Sequence, residues 1–159
     1  MKTQMKTQAL LKFVALDEED LEIVSAHLQD AVTKTADVIW LPAEKRIVLG
    51  VNRFDWESAT AKPPVYRRRR AALRFERVLS CQRKGIDLAK PEQVLNLLAV
   101  EFEETDAPAG MLTLTFSGGA ALRLEAECLE GELADLGPEW TCDKCPDHAL
   151  TAEPVDQDA

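Results

Sequence analysis

Residues 112–140 read LTLTFSGGAALRLEAECLEGELADLGPEW, from Leu112 to Trp140, and two alternating apolar runs within them meet at Ser117-Gly118-Gly119. Period-two alternation on both sides of a glycine pair marks a β-hairpin, because strand side chains point to opposite faces in turn and glycine takes the backbone angles a tight reversal needs. The pattern predicts strands at Met111–Phe116 and Ala121–Cys128, with Leu112, Leu114, Phe116, Leu122, Leu124 and Ala126 on the buried face. Glu130–Leu136 is short and amphipathic and reads as a further strand or a helical turn. After Gly137-Pro138 the chain reads mostly as loop, with Trp140 as its core anchor.

Toward the N-terminus the same alternation recurs. Leu97–Glu104 reads as a strand, preceded by a turn at Asp87–Pro91 and a single helical turn at Glu92–Asn96, since proline suits the first helical position. Arg67–Arg70 lead into AALRFERVLSCQRKGID, read as one long strand with Leu73, Phe75, Leu79 and Cys81 on one face, interrupted by Arg77. Residues 58–66, SATAKPPVY, form a surface loop around Pro63-Pro64. Asp37–Leu41 and Lys45–Val51 read as strands, the second continuing at least to Phe54. One helix is expected, starting at Asp17-Glu18-Glu19-Asp20, where Asp caps and carboxylates oppose the positive end of the dipole. It places Leu21, Val24, Leu28 and Ala31 on one face and runs to about Thr33. Ala9–Leu16 is a short apolar strand. The fold expected is α+β: a single domain over residues 9–148, with an antiparallel β-sheet curled into a sandwich or open barrel and one main helix near the N-terminus. Residues 1–8, MKTQ written twice, are expected to be disordered or cloning-derived, and residues 149–159 a disordered tail.

The chain has 159 residues, 46% apolar and 30% charged, enough for one substantial core. No apolar run approaches the roughly 20 residues a membrane helix needs, and a cytoplasmic protein with reduced thiols is expected. The net charge of −9 is unevenly spread: residues 61–90 carry ten basic and two acidic groups, and residues 91–159 carry two and sixteen. The basic segment is thus flanked by acidic sequence able to pair with it.

Arg67, Arg68, Arg69, Arg70 and Arg74 are the best candidates for a binding surface, joined by Arg53 and Trp56 from the alternating stretch Asn52–Glu57. An acidic protein partner fits such a segment, and nucleic acid is the alternative. Cys142 and Cys145, at the two-residue spacing that chelates one tetrahedral metal, with His148 nearby, make an alternative zinc site. A second such pair, which would complete it, does not occur, and no cofactor is expected. Only His27 and His148 offer an imidazole base, and no phosphate-binding loop, dinucleotide-binding glycine pattern or zinc-protease motif is found. Catalysis through Asp55 or Glu57 ranks behind both binding readings.

At Asn52–Glu57, Ser117–Gly119 through Leu122–Glu125, Glu127-Cys128, Asp135–Gly137, Trp140 and Pro146–His148, the sequence resembles an uncharacterised alphaproteobacterial family, domain of unknown function 2948. The resemblance spans roughly Ala9 to His148 and implies a bacterial cytoplasmic protein, with no assigned activity or cofactor. The family's pattern carries the final Pro and His without a Cys-x2-Cys before them, which speaks against zinc. The expectation is therefore a small non-enzymatic binding or accessory domain using its basic segment.

Overall fold

The computed structural model describes residues 10–60 and 62–142. In chain order the elements are β1 (Lys12–Ala15), α1 (Glu18–His27), β2 (Val32–Lys34), β3 (Val38–Leu41), β4 (Arg46–Phe54), α2 (Trp56–Ala59), β5 (Arg67–Phe75), β6 (Val78–Lys84), β7 (Val94–Glu104), β8 (Gly110–Phe116), β9 (Ala121–Ala126) and β10 (Gly131–Thr141). The ten strands form one open antiparallel sheet in the order β1-β10-β5-β4-β2-β7-β8-β9-β6, with β3 paired to β4 beside β2. Among the described residues the architecture is dominated by this sheet and carries two α-helices, so it is sheet-dominated rather than clearly an α+β fold around one main helix.

The hairpin forms as its alternation requires. Leu112 stands opposite Leu124 and Leu114 opposite Leu122, while Ser117–Gly119 make a 3-10 turn in which Gly118 and Gly119 have φ of 75° and 83°. All six side chains expected on its inner face are buried, with each leucine and the phenylalanine contributing roughly 1.5–3 kcal/mol by leaving water.

Helix α1 begins where expected, with Asp17 Oδ1 accepting from the Asp20 amide at 2.8 Å. It ends at His27, well short of Thr33. Leu28 is its C-cap, and Asp30, at φ 65°, turns the chain into β2. The amide of Asp30 and the carbonyl of Ala31 are bonded to Leu97, so sheet pairing takes the backbone groups that two further helical turns would have used.

Three other expectations are revised. The long strand after Arg70 is divided at Glu76-Arg77, where Arg77 has φ 61°. Glu76 donates to the Glu130 carbonyl and Glu127 to the Arg77 carbonyl, so the β5–β10 ribbon turns a corner and continues as β6–β9. That corner exchanges the faces: Val78 is buried and Leu79 exposed. Glu92–Asn96 makes no helical turn, because Val94–Asn96 pair with β2, and the Gln93 side chain ties the preceding turn to Gly85 and Asp87. Finally, β10 runs on past Pro138 to Thr141, and Trp140 is 41% exposed rather than a core anchor, paired instead with Arg68 at the strand's end.

Candidate functional site

Three adjacent strands, β4, β5 and β10, share an inner face that is apolar along most of its length: Ile47, Leu49 and Val51, then Ala71, Leu73 and Phe75, then Leu133. The next inward position on each strand is charged. These are Arg53 on β4, Arg69 on β5 and Asp135 on β10, and all three are buried. Period-two alternation obliges them to point inward with the residues two places before or after them.

Arg53 spans β5 to reach Asp135, with Nε 2.8 Å from Oδ1 and Nη2 2.9 Å from Oδ2. The strands on either side of β5 lie about 9–10 Å apart. Ala71, opposite both Val51 and Asp135, leaves its side-chain space for this two-pronged pair. Asp135 also accepts from the Leu11 amide at 2.9 Å, fastening the start of β1 to the pair.

Arg69 donates from Nε to Asp55 Oδ2 at 2.8 Å, and its Nη1 lies 2.7 Å from Glu139 Oε1. Asp55 caps α2, accepting from the Ser58 amide at 3.0 Å and the Ser58 hydroxyl at 2.8 Å. Glu139 comes opposite Arg69 because β10 bulges: Asp135 faces Ala71 and Glu139 faces Arg69, so Leu136, Gly137 and Pro138 stand against Arg70 alone. Proline has no amide to offer a ladder and is accommodated at such a bulge. Arg67, two residues before Arg69 on the same face, makes two 3.2 Å contacts with Glu139.

Burial opposes ionisation of Asp55, but hydrogen bonds from Arg69 and from the Ser58 amide and hydroxyl outweigh it and hold the carboxyl below its usual 3.8. Asp135 behaves alike: burial raises its pKa, while hydrogen bonds from Arg53 and the Leu11 amide lower it further. Both are anions at neutral pH.

A cleft of about 600 Å³ opens over this end of the sheet, lined among others by Lys12, Arg53, Arg67, Arg69, Asp55 and Glu57. Four basic residues and two acidic ones line its wall, and Asp135 and Glu139, which pair with Arg53 and Arg69, are not among the lining residues. The Lys12 side chain is 73% exposed at the rim.

The other sequence-derived candidates lie elsewhere. Arg68 and Arg70 point to the opposite face of β5. Arg68 donates to the carbonyls of Asp30 and Asn52 and lies 5.9 Å over the Phe54 ring, its guanidinium pKa lowered by burial. Arg70 donates to Asn52 and pairs with Asp37, lying across Gly50, where a β-carbon would stand 2.5 Å from its guanidinium. Arg74 is farther along β5, bridging Glu132 and Glu76. Trp56 is not in the cleft wall: it packs edge-on against Phe54 and donates to the Gln29 carbonyl. Of the zinc candidates, Cys142 donates its amide to the Tyr66 carbonyl, while Cys145 and His148 lie outside the described residues. Among the described residues no cluster of three His, Cys, Asp or Glu groups is placed to hold a metal ion, and Cys81, Cys128 and Cys142 form no disulfide. None of their helices is long and apolar enough to cross a membrane.

Asp135, Glu139 and Lys12 are missing from the sequence-derived set. Their signal lies in parity: Asp135 follows Leu133 at the spacing of an inward residue, as Arg53 follows Val51 and Arg69 precedes Ala71. Which inward charge faces which depends on strand order.

No curated protein and no solved structure matches the chain. A family model does, over residues 11–148, a span that takes in both buried ion pairs, and the chain belongs to the family described as Protein of unknown function (DUF2948).

Proposed function

We propose that this chain is a small non-enzymatic binding domain, and that it takes an acidic segment of a protein partner in the cleft at the arginine end of β4, β5 and β10. The observation that carries the reading is the cleft wall, with Lys12, Arg53, Arg67 and Arg69 against Asp55 and Glu57. Asp135 fixes Arg53, and Asp55 with Glu139 fixes Arg69, so these buried guanidinium groups set the charge and shape of the cleft floor, while an incoming anion would pair with the more accessible Lys12 and Arg67. Arg67 completes the picture: its Nε is buried without a hydrogen-bond partner among the described residues. The basic segment singled out in the sequence contributes through its odd-numbered members, Arg67 and Arg69. Arg68 and Arg70 are engaged on the other face.

The test is titration of the full chain with a deca-glutamate peptide, followed by calorimetry. Lys12→Glu combined with Arg67→Ser alters the rim and leaves both buried pairs intact. Binding should weaken at least about tenfold in that variant, the effect of two modest ion pairs, and stay unchanged in Arg77→Ser, whose exposed guanidinium lies at the corner after β5. Equal affinity in all three proteins would remove the cleft from the account.

A further inference from the structure

The described chain stops beside the arginine cleft. Thr141, the last residue of β10, stands opposite Arg67, and the Cys142 amide donates to the Tyr66 carbonyl at 2.8 Å. Val65 and Arg67, on either side of Tyr66, both line the cleft. Whatever follows Cys142 is thus tethered next to the cleft wall. Arg53, Arg67 and Arg69 lie inside the span matched by the family, whereas residues 149–159 lie outside it.

Residues 149–159 carry three acidic groups and no basic one, all within Glu153-Pro154-Val155-Asp156-Gln157-Asp158. The cleft is complementary to that run. Its accessible cations are Lys12 and Arg67, and its wall also carries the apolar Leu10, Leu11 and Val65, of which Leu10 is 52% exposed. Val155, set between Glu153 and Asp156, matches the apolar part. Reach is no obstacle: Glu153 is eleven residues past Cys142, and eleven residues span up to roughly 36 Å when extended. Tethering at such a length presents the carboxylates at a local concentration on the order of millimolar, without any further contact. The clefts along α1 offer no rival seat, because Glu18, Glu22 and Glu101 in their walls repel the same run.

We infer that residues 153–158 of this chain fold back into the arginine cleft, with Glu153, Asp156 and Asp158 meeting Lys12 and Arg67, and hold it until an acidic partner displaces them. The displacement rests on the proposed function; the seat of the segment rests on the cleft and the tether. Segment and partner share one chemistry, so they exclude each other. A partner with a longer run of carboxylates takes the site, while a small anion at low concentration competes poorly with an occupant that never diffuses away.

Deca-glutamate is titrated against the full chain and against a full-length variant with Glu153→Gln, Asp156→Asn and Asp158→Asn. Affinity is expected to rise about threefold in the variant, the figure for a segment occupying the cleft in about two thirds of molecules. Glu101→Gln with Glu103→Gln and Glu104→Gln removes the same charge from exposed positions on β7 and should not reproduce the rise. Without peptide, the backbone amide resonances of Lys12 and Arg67 should differ between the full chain and the 153–158 variant at every protein concentration. Peptide binding of equal strength to those two proteins, or an equal rise in the β7 variant, would overturn the segment's hold on the site. Resonance changes at Arg83 and Lys84 of β6 instead would overturn the cleft as its seat. Changes that grow with protein concentration would seat the segment in a second copy and overturn the intramolecular contact. Failure of the peptide to bind either protein while Lys12 and Arg67 still respond would sink the proposed partner and leave the segment in the cleft.

Discussion

Arg69 and Arg70 are neighbours in β5, yet the Arg69 side chain faces inward and is 5% exposed, whereas that of Arg70 faces outward and is 31% exposed. The inner set, Arg53 and Arg69, is fixed by Asp135, Asp55 and Glu139 within the end of the core. The outer set, Arg68, Arg70 and Arg74, rests on carbonyls, an aromatic ring and partly exposed acids. The same residue type thus serves two physical purposes one position apart. Inside, a charge is tolerated only because its partner is also buried and its hydrogen bonds are met. Outside, water screens the pair and little depends on it.

The sharpest way to break this comparison is to remove one buried partner. Asp135→Ala leaves Arg53 charged without its carboxylate and is expected to cost about 3–5 kcal/mol, read from the denaturant midpoint. Arg53→Met together with Asp135→Leu should recover most of that loss, because two apolar side chains of similar bulk need no partner. A single-variant cost under about 1 kcal/mol would place the inner set in the same class as the outer one.

Acid should separate the two sets next. The folded-state pKa values of Asp55 and Asp135 lie below the ordinary 3.8, so the stabilisation they bring is fully present above the unfolded value and is lost as pH falls through the folded values. Melting temperature followed downward from pH 5 should therefore begin to drop near pH 4. In the Arg53→Met/Asp135→Leu protein the drop should shrink, leaving the share of Asp55. An identical acid profile in the two proteins would mean that the buried pair contributes nothing to the transition.

Changes on the outer face should be smaller. Arg70→Ala removes a pair whose side chains are 31% and 35% exposed, and a loss of no more than about 1 kcal/mol is expected. A loss matching that of Asp135→Ala would show that Arg70, lying over Gly50, is as deeply committed as Arg53. The smallest effect concerns burial that no partner answers. Burial raises the Cys81 thiol pKa and the Arg83 charge only partly opposes it, the reverse of the balance at Asp55. Alkylation of Cys81 at pH 8 should accordingly run slower than that of a free thiol. Equal rates would show that the guanidinium, not burial, governs that position.

The hairpin was legible because its two strands are local, alternate strictly and meet at glycines. The start of α1 was legible for a similar reason: Asp17 bonds an amide three residues away. The helix end was not, since the groups that displace its last turns belong to Leu97, almost seventy residues on. The corner at Arg77 escaped reading because an alternating pattern does not announce where its phase slips. The turn expected at Glu92–Asn96 lost to pairing with β2, a strand of three residues whose partners are decided by topology. Within the site, Arg53, Arg67 and Arg69 were visible as charges, but Trp56 and Arg74 could not be told from them without knowing which face each occupies.

By itself, the sequence determined which residues alternate, where the chain reverses at Gly118-Gly119, and that a basic stretch precedes an acidic third. These are matters of backbone sterics and side-chain period, complete within a few residues. Only the tertiary structure decided that Arg53 would lie across Ala71 from Asp135, that a bulge at Leu136–Pro138 would bring Glu139 to Arg69, and that β7 would outrun β2 and lie against α1. Each depends on strand order and register, which are chosen by the whole core at once because a slip of one residue turns every inward side chain outward.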